Sequence, residues 1–188
     1  MDRNIESYLK VYSNWFSKEI CEETVNELEI LKNDFHKHAY YDYTNNSSKS
    51  YDYDLSCSDV TVKHKEFLMK RIWDGLKDYH KKLDFEWYSS WQGYSAIRFN
   101  RYDVNTRMKL HCDHIHSLFE GERKGIPTLT ILGALNNDYK GGELVLWNDK
   151  IIELKAGEIM IFPSNFLYPH EVKFVTEGTR YSFVSWTW

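Results

Sequence analysis

From residue 93 to the end of the chain, short apolar runs alternate with turn-forming residues, and no helical period intervenes. The runs fall at residues 94–102, 108–113, 128–135, 143–147, 151–154, 158–162, 168–175 and 180–188. Between them stand Asn136-Asn137-Asp138, Gly141-Gly142, Asn148-Asp149, Ala156-Gly157 and Glu177-Gly178. Small polar residues and glycine adopt turn dihedrals at little cost, so each cluster closes a strand. About eight strands this closely spaced leave no room for crossover helices, which excludes a parallel sheet. They predict an antiparallel sandwich or barrel, and eight such strands are what a jelly roll needs.

The first half reads differently. After Ser17, a suitable N-cap, apolar residues recur at Ile20, Leu28, Leu31 and Phe35, with Cys21 and Val25 beside them. That is one buried stripe at helical spacing. Leu68, Ile72, Leu76, Tyr79 and Leu83 mark a second helix after Asp59. Core packing accounts for both stripes. Residues 40–54, between the helices, hold two Tyr-Asp-Tyr triplets around Asn45-Asn46-Ser47-Ser48 and continue no period. They read as a loop, either a solvated connector or a binding lid. Nothing divides the 188 residues, so one domain is expected, with helices at about 1–90 covering one face of a β core at about 93–188.

The net charge of −4 supplies no basic field, which argues against nucleic acid as a partner. Cys21, Cys57 and Cys112 are odd in number and far apart, which suits a reducing compartment better than a disulfide framework. The first residues are charged and lack the apolar run of a secretory signal. No stretch approaches the ~20 apolar residues of a membrane span. A cytoplasmic protein with no membrane partner is expected.

Within the β half, His111-Cys112-Asp113 carries chemical meaning together with His170. Residues two apart on a strand share a face, so His111 and Asp113 can aim at one point while Cys112 turns away. A second imidazole from a neighbouring strand would complete a 2-His-1-carboxylate set with open positions, which suits Fe(II). Arg180 lies ten residues after His170 on the final strand. A buried arginine there expects an anionic partner, and its planar fork can grip one end of a dicarboxylate. The residues alone leave open a surface or capping role for His-x-Asp and an exposed edge position for Arg180. His114 and His116 read as loop residues or outer contacts.

A longer pattern surrounds these residues. Tyr102 stands nine positions before His111-Cys112-Asp113. Thr130-Ile131-Leu132-Gly133-Ala134-Leu135-Asn136 and Gly141-Gly142-Glu143-Leu144 follow. Ala156-Gly157-Glu158-Ile159-Met160-Ile161-Phe162-Pro163, His170-Glu171-Val172 and Gly178-Thr179-Arg180-Tyr181-Ser182 complete it. In order and spacing these segments resemble the prolyl 4-hydroxylase-like branch of the 2-oxoglutarate/Fe(II)-dependent dioxygenase family. The resemblance implies a double-stranded β-helix, a cupin-like jelly roll with helices on one sheet, and Fe(II) held by His111, Asp113 and His170. It pairs Arg180 with the C5 carboxylate of 2-oxoglutarate and makes Tyr102 and Thr130, and less firmly Ser182, hydrogen-bonding partners of that co-substrate. The implied reaction consumes O₂ and 2-oxoglutarate, hydroxylates a substrate and releases succinate and CO₂, with ascorbate as a candidate additional cofactor.

For the substrate, the resemblance points to a peptidyl prolyl or other amino-acid side chain. A small molecule or an alkylated base is the alternative. The chain departs from the family where it has Asn105 in place of a frequent Gly, and Met108 and Ala134 in place of frequent Tyr. The last two weaken the case for peptidyl proline. Asp113 stands where a halogenase would have Ala or Gly, which favours hydroxylation over chlorination. A non-catalytic barrel that binds a metal or dicarboxylate, and a zinc hydrolase, are the competing readings. Segments 40–54 and 117–125, with Tyr51 and Arg123, are the candidate substrate selectors.

Overall fold

The computed structural model describes residues 4–42, 44–88, 90–113 and 126–188. His114, His116, Arg123 and the 117–125 segment named above lie outside the described residues. Ahead of residue 93 come strands β1 (Lys10–Tyr12), β2 (His36–Lys37), β3 (Tyr40–Asp42), β4 (Ser47–Lys49) and β5 (Ser56–Ser58), with helices α1 (Lys18–Ile30) and α2 (Lys65–Leu83). After it follow β6 (Arg98–Tyr102), β7 (Met108–His111), β8 (Leu129–Ala134), β9 (Lys140–Gly141) and β10 (Leu144–Leu146). β11 (Lys150–Ile152), β12 (Ile159–Pro163), β13 (His170–Val172), β14 (Val175–Glu177) and β15 (Arg180–Thr187) complete the chain. Each expected β run holds a strand. The run at 168–175 divides, ending as β13 at Val172 and resuming as β14 at Val175.

Two antiparallel sheets face each other as a jelly roll. The larger has the order β1-β12-β8-β15-β6-β5-β2, and the smaller β11-β10-β13-β7. Strand alternation decides what fills each side of the larger sheet. Leu129 and Ile131 of β8, Ile159 and Ile161 of β12, and Tyr181 and Phe183 of β15 turn outward. They meet Leu28 of α1 and Leu68, Ile72, Leu76 and Tyr79 of α2 in one buried cluster. The helices thus cover one sheet, as the two apolar stripes require. Gly75 sits at the closest approach of α2 to β12. A Cβ there would stand 2.9 Å from Ile159 Cδ1, which accounts for glycine inside a helix. Residues of opposite parity, including Tyr102, Ala134, Met160 and Phe162, point between the sheets with Leu144, Leu146 and Val172.

Ser17 caps α1 as its position suggests, its hydroxyl accepting from the Ile20 amide. The five short strands ahead of residue 93 carried no readable period. β1 adds an edge to the larger sheet beside β12, and β5 and β2 extend its other edge beyond β6. Two or three residues cannot display an alternation, so only pairing defines them. The connector expected at 40–54 contains a hairpin, β3 against β4. Asp42 stabilises its turn by accepting from the Thr44 amide at 3.0 Å and the Asn45 side chain at 2.8 Å. Asn105, where the resemblance would place glycine, has φ +65° in the turn between β6 and β7. Asparagine tolerates that left-handed conformation better than other side chains, so the departure keeps the turn. Among the described residues no helix is long and apolar enough to cross a membrane.

Candidate metal centre

Strand pairing brings the distant residues together. β13 lies antiparallel to β7 with His170 opposite His111. Val172 pairs with Met108, so β7 carries one extra residue between the two pairs, a bulge. The bulge explains why Met108 and His111, three residues apart, both line the interior. The strand ends at His111, two residues earlier than its apolar run suggests, and Asp113 follows just beyond.

Side-chain donor atoms of His111, Asp113 and His170 all lie within 4.8 Å of one another. His111 Nε2 is 3.2 Å from Asp113 Oδ1, and His170 Nε2 is 3.8 Å from Asp113 Oδ2. Each ring is turned by its other nitrogen. His111 Nδ1 is 2.7 Å from the Lys109 carbonyl, and His170 Nδ1 is 3.2 Å from the Tyr168 carbonyl. A carbonyl accepts only, so Nδ1 holds the proton in both rings and Nε2 is the atom free to ligate.

The electrostatics agree with that assignment. Burial raises the Asp113 carboxyl, but His170, His111 and the Thr130 hydrogen bond outweigh it and hold the group well below the usual range. Burial, with repulsion from His111, pulls His170 down to about 4, so its ring is neutral at physiological pH. Burial also lowers His111, yet the hydrogen bond and charge of Asp113 leave its net pKa raised. Two imidazoles and a carboxylate converging in this way fit a ferrous ion.

Thr130 reaches the centre from β8. Its hydroxyl is 2.7 Å from Asp113 Oδ2 and 2.8 Å from Ser164 Oγ. A hydroxyl has one proton to give, and the carboxylate only accepts, so Thr130 donates to Asp113 and Ser164 donates to Thr130. The resemblance puts Thr130 against a co-substrate, whereas its partners here are the carboxylate and Ser164. Deeper between the sheets lies Arg180, 5% exposed. Its Nη1 donates to Ser182 Oγ at 3.0 Å, and its guanidinium stands 4.9 Å from the Tyr102 ring centre. Among the described residues it has no carboxylate partner, which leaves a buried cation awaiting an anion. Gly142 makes room for it, since a Cβ there would stand 3.1 Å from Arg180 Cδ, and φ is +65°. Burial raises the Tyr102 phenol, which therefore stays protonated and able to donate.

Residues 97–188 match the 2OG-Fe(II) oxygenase superfamily. That match spans the β-helix half of the chain. The β half is 33% identical over 94 residues to a PKHD-type hydroxylase from Acinetobacter baumannii, a match covering 47% of this chain and 40% of the relative. A PKHD-type hydroxylase from Prochlorococcus marinus is 41% identical over 76 residues, covering 39% of this chain and 34% of the relative. The chain thus spans well under half the length of these curated relatives. The fold likeness extends further. A prolyl hydroxylase from Trichoplax adhaerens, solved with a hypoxia inducible factor peptide fragment, superposes with TM-score 0.69 at 15% identity, covering 96% of this chain and 83% of that one. A prolyl-4-hydroxylase from Pseudomonas putida gives 0.66 at 13% identity, covering 96% and 91%.

Four residues around the triad escaped the sequence reading: Ser164, Arg98, Asn100 and Trp186. Ser164 has no local signal beyond following Pro163. The other three were accessible, because Arg98 and Asn100 share the parity of Tyr102 on β6, and Trp186 that of Arg180 on β15. All three line the interior with the triad.

Proposed function

We propose that the protein is a 2-oxoglutarate- and O₂-dependent hydroxylase that releases succinate and CO₂, with His111, Asp113 and His170 as the ligands of one non-haem Fe(II). Bound Fe(II) supplies the activation of O₂, coupled to oxidative decarboxylation of the co-substrate. The chain's residues supply the positioning. The carbonyls of Lys109 and Tyr168 hold the two imidazoles by Nδ1, and Thr130 holds the carboxylate. Arg180 receives the distal carboxylate of 2-oxoglutarate through two parallel charge-assisted hydrogen bonds, and Ser182 steadies the guanidinium. Tyr102 offers a phenolic donor beside it. Leu132, Leu144, Val172 and Val184 line the same space and keep water from it.

The single observation that carries this reading is the buried Arg180, without a carboxylate partner among the described residues, in the same interior as the triad. A zinc hydrolase gives that guanidinium no task. The β3–β4 hairpin borders the site, since the Tyr40 hydroxyl contacts Met108 Sδ at 3.4 Å and Met108 lines the interior. We assign the hairpin to substrate selection. The substrate class that fits best is an amino acid or amino-acid side chain. The free thiols Cys21, Cys57 and Cys112 support a cytoplasmic setting.

Anaerobic addition of Fe(II) and 2-oxoglutarate should give a visible charge-transfer band that His111→Ala removes. Admission of O₂ should then yield succinate slowly without any substrate. A band without succinate would identify a binding barrel, and neither signal would leave the zinc reading.

A further inference from the structure

Three polar groups on one interior wall have no hydrogen-bond partner among the described residues. Arg98 Nε, Asn100 Oδ1 and Trp186 Nε1 are buried and make no hydrogen bond. Asn100 is 4% exposed and Trp186 6%. Orphaned buried polar atoms cost folding free energy, so a cluster of them facing one space is satisfied by water or by a ligand. The groups are close together. The Arg98 guanidinium stands 4.9 Å from the Trp186 ring centre, and all three residues line the interior that holds the triad. Among the described residues no carboxylate pairs with Arg98.

Strand register places this wall relative to the rest of the site. Along β15 and β6 the interior pairs are Arg180 with Tyr102, Ser182 with Asn100, and Val184 with Arg98. Trp186 pairs next with Thr130, whose hydroxyl holds Asp113. Arg98 therefore lies four residues from Tyr102, roughly 13 Å along the strand, at the triad's end of the barrel. The co-substrate has two charged ends. On the reading above, Arg180 takes one and the triad takes the other. A second guanidinium then calls for a second anion.

Resting on that reading, we infer that Arg98, Trp186 and Asn100 form the substrate subsite, and that it takes the α-carboxylate and α-ammonium of a free amino acid. The Arg98 fork and the indole N–H donate to the carboxylate. Asn100 Oδ1, an acceptor two residues from the guanidinium, receives a donor carried by the same small molecule. An internal residue of a peptide has neither backbone charge; its amide carbonyl can accept from these donors but supplies no anion for Arg98.

The test uses the full chain loaded with Mn(II) and 2-oxoglutarate, titrated calorimetrically with the common free L-amino acids, their carboxamides, and peptides containing internal Pro, Asp or Glu. At least one free acid should bind, and its carboxamide should bind at least tenfold more weakly. Loss of a charge-assisted hydrogen bond corresponds to roughly 10- to 100-fold in affinity. Arg98→Met should weaken the acid by that much, and by at least tenfold more than it weakens 2-oxoglutarate. Arg98→Lys should fall between the two proteins, and Trp186→Phe, which keeps the ring and removes the N–H, should weaken the acid several-fold. Equal binding of acid and carboxamide overturns the inference even should Arg98→Met fail to fold. So does binding by peptides alone, absence of binding by any free acid, or an Arg98→Met loss as large for 2-oxoglutarate as for the acid. Failure of 2-oxoglutarate to bind the metal-loaded wild type is a separate result, which removes the oxygenase reading and this subsite with it.

Discussion

Thr130→Val keeps the shape of the side chain and deletes one hydroxyl, which links Asp113 Oδ2 to Ser164 Oγ at 2.7 and 2.8 Å. Two effects follow. The carboxylate loses a hydrogen bond to a charged acceptor, worth ~1.5–3 kcal/mol. Ser164, 1% exposed, is left with a buried donor and no acceptor. A net loss of about 2 kcal/mol lowers Tm by roughly 4–8 °C at this chain length. The metal affinity should fall by roughly 10- to 100-fold, because Asp113 is free to rotate out of the set. The assay is Mn(II) titration of the metal-free protein, with Tm measured in chelator. The double variant Thr130→Val with Ser164→Ala separates the two effects. It removes the orphaned donor and should recover part of the Tm, while metal affinity stays low. Metal affinity within twofold of wild type in Thr130→Val would refute the argument. A selective loss of 2-oxoglutarate affinity would instead return Thr130 to the co-substrate contact that the family resemblance implies.

Other perturbations test separate parts of the site. Arg180→Met should reduce 2-oxoglutarate affinity by roughly 100-fold, two charge-assisted hydrogen bonds being lost, while Tm holds or rises because an uncompensated buried cation is gone. A fall in Tm equal to that of a core truncation would show that the guanidinium serves the fold. Asn105→Ala should cost about 1–2 kcal/mol in urea denaturation, and Asn105→Gly should be close to neutral, because φ at this position is +65°. Equal costs for both would point to the asparagine side chain and not the backbone. Tyr51 stacks on Tyr53 at 5.1 Å and lies 4.3 Å from Lys109 Nζ, beside the hairpin that borders the site. Tyr51→Ala should lower substrate-coupled turnover more than substrate-free succinate formation, and equal losses in both would remove the hairpin from substrate selection.

The Arg180–Tyr102 and His111–His170 pairs show where local pattern stops and topology begins. Turn clusters such as Asn136-Asn137-Asp138 depend on dihedral preferences of a few adjacent residues. The stripe Leu68, Ile72, Leu76 and Tyr79 depends on one period, so strands, helices and their buried faces were legible in the chain. His111, Asp113, His170 and Arg180 could be nominated by residue type and spacing, because the chemistry they serve demands those types. Alternation also held enough information to put Arg98 and Asn100 on the face of Tyr102, although the reading stopped at the family's own positions. Other features had no local trace. β1 is too short to show a period and exists through its pairing with β12. The hairpin at residues 40–49 is set by cross-strand partners and by Asp42. The bulge that turns Met108 and His111 to the same side follows from the register of β7 against β13. The Ser164–Thr130–Asp113 chain joins three segments far apart in sequence, and the orphaned wall of Arg98, Asn100 and Trp186 becomes visible only when hydrogen-bond partners are counted in space. Period and dihedral preference among neighbours were enough to mark the strands, the helices and the residue types able to do chemistry. Which of those residues meet, and which are left without a partner, was decided by tertiary structure alone, because that depends on strand register between segments whose separation along the chain carries no distance information.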